Sequence, residues 1–322
     1  MAYTKQASVL AVVIFLCAAG VAHADTRLTI GSTSSSSSHY GYFVAVSQII
    51  NENVDGVRSS VMETGATIDN LRRIKRNQAD MGLVTTNVAY DAYHGEGAFE
   101  GNEVPTNVLW VYGPSAQNVV VRADAGLNTI SDLEGVKFNP GIVGSGTEAT
   151  AEAVFDVIGV TPDYVRGSTT DMVNQIKDNR VKGYVKSGNG RMLDASSIDI
   201  ATMTPVNILG LSDEQADAIR QELPSLGIMN IEENEAGDGY PAYTTWAYGN
   251  TVSSRADLDE EVAYNIVKAI VEHQDAQAAA FSVLKDADIP EMTIELATTP
   301  LHPGAIRYFE EQGYEVPEHL KP

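Results

Sequence analysis

Apolar residues along this chain recur with two alternating periods. Short runs rich in β-branched residues are followed by stretches whose apolar positions lie three and four apart. That alternation predicts strands succeeded by helices, the signature of an α/β sheet. Leu28–Ile30 predicts a first strand ending at Gly31, and Tyr42–Ile50 predicts a helix. Val57–Met62 is the next strand, followed by a helix with Thr67 as N-cap that runs through Ile74. Its end is basic (Arg72, Arg73, Lys75, Arg76), which complements the helix macrodipole. A third strand, Asp80–Val84, precedes a helix from Thr86 to Tyr93. Val108–Tyr112 and Asn118–Arg122 read as two strands, with Gly113-Pro114-Ser115 between them as a crossover between lobes. A second series follows: strand Val136–Asn139, helices Thr147–Ile158 and Thr169–Lys177, strand Val181–Val185 and an amphipathic helix Ser212–Leu223. Residues 232–240 read as an acidic surface loop, Thr244–Thr251 as extended, and Asp257 to Phe281 as one long helical pattern. Neither a tandem repeat nor a long linker interrupts the series, so the two lobes should pack closely.

Residues 1–24 stand apart. Lys5 is their only charge, an apolar run spans Val9–Ala19, and Ala22-His23-Ala24 is a small-x-small cleavage site before Asp25. This pattern predicts a cleaved secretory signal peptide and an exported, periplasmic protein. The run is too short for a membrane span, and Leu16 before Cys17 does not make a lipobox. Cys17 is the single cysteine, so the exported chain would have no disulfide, thiolate nucleophile or cysteine-ligated zinc. The charge changes the picture further. With 21 Lys+Arg against 43 Asp+Glu the net charge is −22, which speaks against nucleic acid and anionic membrane surfaces as partners.

Two loops carry the candidate chemistry. Gly31 to Tyr40, with serines at 34–38, lies between a strand and a helix, so its hydroxyls and N–H groups would gather at a helix N-terminus that favours anions. Gly141 to Glu148 is a second strand-to-helix loop, glycine-rich and with hydroxyls at Ser145 and Thr147. It has no lysine for a P-loop, and its glycine order, G-x-x-G-x-G, is not the dinucleotide fingerprint. It suits a small carboxylate. Ser282-x-x-Lys285 and Lys186-Ser-Gly188 mimic a serine enzyme, but in reversed chain order. The five histidines beyond the leader (His39, His94, His273, His302, His319) show no zinc spacing, and Glu232–Glu235 lacks a calcium-loop register. We therefore expect no metal, no cofactor and no catalytic residue. Lys186, Arg191 and Arg122 are the cations available to pair with a carboxylate, Lys186 first because it follows a predicted strand end.

Several stretches in this order resemble the TAXI family of solute-binding proteins, the receptors of one class of TRAP transporter. They are Gly31-Ser-Thr with its hydroxyl loop, Glu63–Leu71, Gln78–Val84 with Asn87–Tyr93, Val119–Asp124 with Ile130–Gly135, Gly144–Glu148, and Leu301–Ala305 with Arg307-Tyr308. The resemblance implies a type II periplasmic-binding-protein fold, two α/β lobes around a ligand cleft. The lobes would be residues 25–113 with 250–322, and 114–249. It also implies a small carboxylate ligand such as glutamate or 2-oxoglutarate, and an integral membrane TRAP permease as partner. By position it places the hydroxyl loop (Ser32, Ser34, Ser35 and Tyr40), Thr64-Gly65, Thr85-Thr86 and Ser145-Gly146-Thr147 along the cleft. The five serines, the polar segment Lys186–Gly190 and the aromatic segment Tyr243–Tyr248 depart from the family pattern. Facing the cleft, they would add Lys186, Asn189 and Trp246 to the ligand contacts. We expect a monomer. The alternatives are a binding protein that signals to a membrane kinase, or an exported hydrolase on the same fold; the hydrolase would need a nucleophile-base pair or a metal set, and the sequence shows neither.

Overall fold

The computed structural model describes residues 26–322; the leader read over residues 1–24 lies outside the described residues. The chain opens with three β-α units: β1 (Thr26–Gly31) and α1 (Ser38–Asn53), β2 (Val57–Met62) and α2 (Thr67–Lys75), β3 (Met81–Thr85) and α3 (Thr86–His94). β1 pairs in parallel with both β2 and β3. Then β4 (Thr106–Arg122) runs for 17 residues. The second series comprises β5 (Lys137–Phe138), α4 (Gly146–Val157), β6 (Asp163–Tyr164), α5 (Thr169–Lys177), β7 (Gly183–Ser187), α6 (Ala195–Ala201), β8 (Val206–Leu209), α7 (Asp213–Glu222) and β9 (Gly227–Ile231). β10 (Tyr243–Arg255) leads back, and α8 (Glu260–Glu272), α9 (Gln274–Ala278), α10 (Ile289–Leu296) and α11 (Pro303–Glu311) complete the fold.

β4 and β10 are antiparallel partners that run through the whole molecule. At one end β10 also pairs with β3 in the sheet β2-β1-β3-β10-β4. At the other end β4 takes β7 and β8, and β10 takes β9. The apolar side chains divide accordingly. One core joins residues 28–112 to 252–320 and includes Tyr42, Trp110, Tyr112 and Phe281. A second set of clusters lies within residues 116–248 and includes Phe138, Phe155 and Trp246. The junction falls at a β-bulge: Asn250 pairs with Gly113 and Thr251 with Val111, so Tyr112 is the extra residue. A bulge bends its strand and increases its twist, which lets two strands serve two differently oriented lobes.

That bulge explains one difference from the sequence reading. Gly113-Pro114-Ser115 does not end a strand; the bulge and the Pro114–Gly249 pairing absorb it, and β4 continues. The helix expected to run to Phe281 instead breaks at His273, whose φ −116°, ψ 38° are not helical. The carbonyl of Ile270 near that break accepts a hydrogen bond from the Gln277 side-chain amide. Thr67 is the first residue of α2, not its cap; the cap position is Ala66, at φ 68°, ψ −147°.

Candidate functional site

The loops after β1, β2 and β3 and the start of α4 converge between the lobes. Glycine is needed where they meet. A Cβ on Gly146 would lie 2.5 Å from Thr85 Oγ1, and one on Gly65 would lie 2.8 Å from the Val143 carbonyl oxygen. Ser145 caps α4 by accepting the Glu148 N–H at 3.1 Å. The Ile68 N–H at the start of α2 donates to the Gly144 carbonyl at 2.8 Å, joining one lobe to the other. A small cavity of about 30 Å³ lies between these loops. In volume it suits one or two water molecules, so the lobes are drawn together.

Hydroxyls and one cation line this cavity. Thr67 Oγ1 and Thr85 Oγ1 are buried without hydrogen-bond partners, and both residues line it. Thr147 Oγ1 is paired with Tyr248 Oη at 2.8 Å. The first N–H groups of α2 and α4 have no intrahelical acceptor, which gives this end of each helix a partial positive charge. Ala66 holds an unusual backbone geometry that an L-residue adopts only under strain, and it does so at the cavity wall.

Lys186, at the end of β7, is the only charged side chain lining the cavity among the described residues. Its Nζ donates to Ser37 Oγ at 3.0 Å and lies 3.5 Å from Asp194 Oδ1. Asp194 is fully buried. Its Oδ2 accepts from Ser37 Oγ at 3.0 Å and from the Ser38 N–H at 2.8 Å, and its Oδ1 from the Ser196 N–H at 3.0 Å. Burial would raise the pKa of this carboxyl, but Lys186, His39 and the Ser196 donors outweigh burial and hold it below the ordinary range. His39 stands beside this pair with Nδ1 at 3.0 Å from Tyr112 Oη, while Nε2 is buried without a partner. Burial, with the Lys186 charge second, pushes His39 down to about 3 against the opposing pull of Asp194 and the Gly188 carbonyl. Its imidazole is therefore neutral at neutral pH.

Of the residues expected along the cleft, Thr85, Ser145, Gly146, Thr147 and Lys186 line the cavity. Ser34, Thr64 and Gly65 line an open groove between the lobes that shares Ile142 with it. Ser32 is buried outside the cavity lining, its carbonyl accepting from Thr64 Oγ1 and the Asn70 amide. Ser35 bonds Glu63 through both its N–H and its hydroxyl. Tyr40 lies on the outer side of α1, in a groove with Val44 and Val61. Thr86 Oγ1 accepts the Gly249 N–H on the far side of the strands, where Thr86, Pro114 and Gly249 border a second groove. Asn189 donates to the Ala280 carbonyl at 3.4 Å and lies outside the cavity. Trp246 is buried in the second lobe's core with Nε1 donating to Thr150 Oγ1 at 3.3 Å. Two of the three candidate cations are committed elsewhere: Arg122 pairs with Asp124 and the Ile176 carbonyl, and Arg191 with Glu235 and the Asn230 carbonyl. Sequence reading misses His39 and Thr67 as cavity residues, and within the aromatic segment it names Trp246 where Tyr248 lines the cavity. His39 lies inside the quoted hydroxyl loop, but testing histidines for metal spacing passes over it.

The architecture is that of the type II periplasmic binding proteins, two lobes on a curled sheet. The chain belongs to the NMT1-like family, whose pattern it matches over residues 30–313. Among solved structures it resembles the periplasmic binding protein BugD (TM-score 0.56, 11% identity, 89% of this chain and 93% of that one). It also resembles an ancestral arginine-binding protein bound to arginine (0.51, 14%, 82% and 100%). A third likeness is to the substrate-binding protein of an ABC uptake transporter from Streptococcus pneumoniae with bound histidine (0.51, 12%, 81% and 94%). At such identities the likeness is one of fold. No helix among the described residues is long and apolar enough to cross a membrane.

Proposed function

We propose that this protein is a periplasmic receptor that closes its lobes, residues 25–113 with 250–322 and 114–249, around a small carboxylate. It delivers that solute to a membrane permease, in our reading the TRAP permease served by TAXI receptors. The observation that carries this reading is the asymmetry of charge at the cavity. Lys186 faces it, whereas both oxygens of the neighbouring Asp194 are taken by protein donors. A solute entering there meets an ammonium, hydroxyls and two helix N-termini, a set that favours an anion. The histidine beside them is neutral, so Lys186 is the cation that a solute meets there. Glutamate, 2-oxoglutarate and related acids fit this chemistry. The protein is a binding protein in this reading: the Ser145 hydroxyl is engaged in capping α4, and Nδ1 of His39 faces Tyr112.

Thermal unfolding of protein freed of co-purified solute tests the proposal against a panel of C4–C6 dicarboxylates, acidic amino acids and 2-oxoacids. A solute at about 100 times its Kd adds roughly 2.7 kcal/mol and raises the midpoint by several degrees. Lys186→Met should abolish that rise. A flat panel, or an undiminished rise in the variant, overturns the carboxylate assignment.

A further inference from the structure

Two serines of the hydroxyl loop are committed to the opposite lobe rather than to the cavity. Ser37 Oγ and the Ser38 N–H both donate to Asp194 Oδ2, at 3.0 and 2.8 Å. In return the Ser38 hydroxyl accepts the Ala195 N–H at 2.8 Å. Ser38 is the first residue of α1 and Ala195 the first of α6. The leading N–H groups of a helix have no acceptor within it, and the usual substitute is the side chain of the helix's own N-cap. Here each of these two N–H groups is capped by a residue from across the cleft. The 157-residue separation of the partners makes the bond pair a link between lobes, not a local turn.

We propose that Asp194 is a positioning residue that fastens the lobes: it holds Lys186 at the cavity and, through Ser37 and Ser38, ties α1 to α6. Asp194 does not itself line the cavity. Opening the cleft would part Asp194 from both serines and leave two helical N–H groups to be capped by water. Hydrogen bonds to a charged acceptor are the stronger kind, so the closed form has a stability of its own before any solute arrives. The fastening does not rest on the proposed solute site.

Residue-resolved amide hydrogen exchange on the solute-free protein tests it. In the wild type the Ser38 and Ala195 amides should be protected. In Asp194→Asn both should exchange at least about 10-fold faster, the scale expected for losing a hydrogen bond to a charged group. Ser38→Ala, which leaves the second lobe's side chains intact, should accelerate Ala195 likewise and serves if the first variant does not fold. Acceleration confined to residues 195–197 in Asp194→Asn would mean a local helix cap and overturn the proposal, as would unprotected amides in the wild type. A protein that binds nothing in the panel would sink the carboxylate reading while the exchange data still decide the role of Asp194.

Discussion

His39 is enclosed by Tyr112, Lys186, Asp194 and the ring of Phe281, and this setting ties its charge to folding. Its folded pKa, about 3, lies below the 6.5 of a free imidazole. As pH falls the unfolded chain therefore takes up the proton first. The stability this group contributes is fully present above about pH 6.5 and is lost progressively as pH falls toward 3. Asp194, also depressed, adds loss of the same sign, but only below its ordinary carboxylate value. His302, lowered mainly by burial, acts in the histidine window too. His39→Gln should therefore flatten, without abolishing, the decline in unfolding free energy between about pH 6.5 and 4.5. One proton accounts for up to about 1.4 kcal/mol per pH unit. Denaturant titrations of both proteins across that range would check it, and identical slopes would refute the buried neutral imidazole.

At the level of elements, the meeting of α4 with the start of α3 decides how tightly the lobes close. Gly146 is the first residue of α4, and the atoms an added Cβ would meet all belong to Thr85 rather than to its own lobe, so Gly146→Ala should leave each lobe's fold intact. The added methyl would nevertheless stand against Thr85 Oγ1 and hold the lobes apart. Affinity should fall at least about 10-fold, a cost of about 1.4 kcal/mol, while the melting midpoint does not. Calorimetric titration beside thermal unfolding separates the two, and a variant that binds normally would mean the lobes close without this contact. Much of this element level was legible in the sequence. Strand–loop–helix order places Ser145 and Thr147 at a helix start, and the helix expected over Thr169–Lys177 coincides with α5. α6, β8 and β9 are not legible there: α6 carries two serines and two isoleucines, weaker helix formers, and β8 and β9 each carry an asparagine, which strands disfavour. Trp246 and Tyr248 share one face of β10, yet two residues of strand span about 6.6 Å. That step carries the contact from Thr147 at the first turn of α4 to Thr150 one turn further in, so Tyr248 reaches the cavity and Trp246 the core. Sequence spacing gives the shared face but not how far along it the cavity extends.

For the whole molecule, the −22 charge and the buried site set opposite demands on the carboxylate proposed above as solute. Far from the surface the solute meets a net negative field, and only inside the cleft do Lys186 and the helix N-termini face it. Exposed ion pairs such as Arg307 with Glu260 and Glu261 leave the acidic excess unchanged. The range of that excess is set by salt: the Debye length shrinks from about 30 Å at 0.01 M to about 3 Å at 1 M. Repulsion over tens of ångströms is screened within this range, whereas the interaction with a buried ammonium at contact distance is screened much less. Association should thus quicken as salt rises, the reverse of electrostatically steered binding, while release changes little. Stopped-flow measurement of both rate constants with one carboxylate across that range is the test. A kon that falls with salt would show that the positive field of the cleft already reaches beyond the surface and overcomes the charge of the whole.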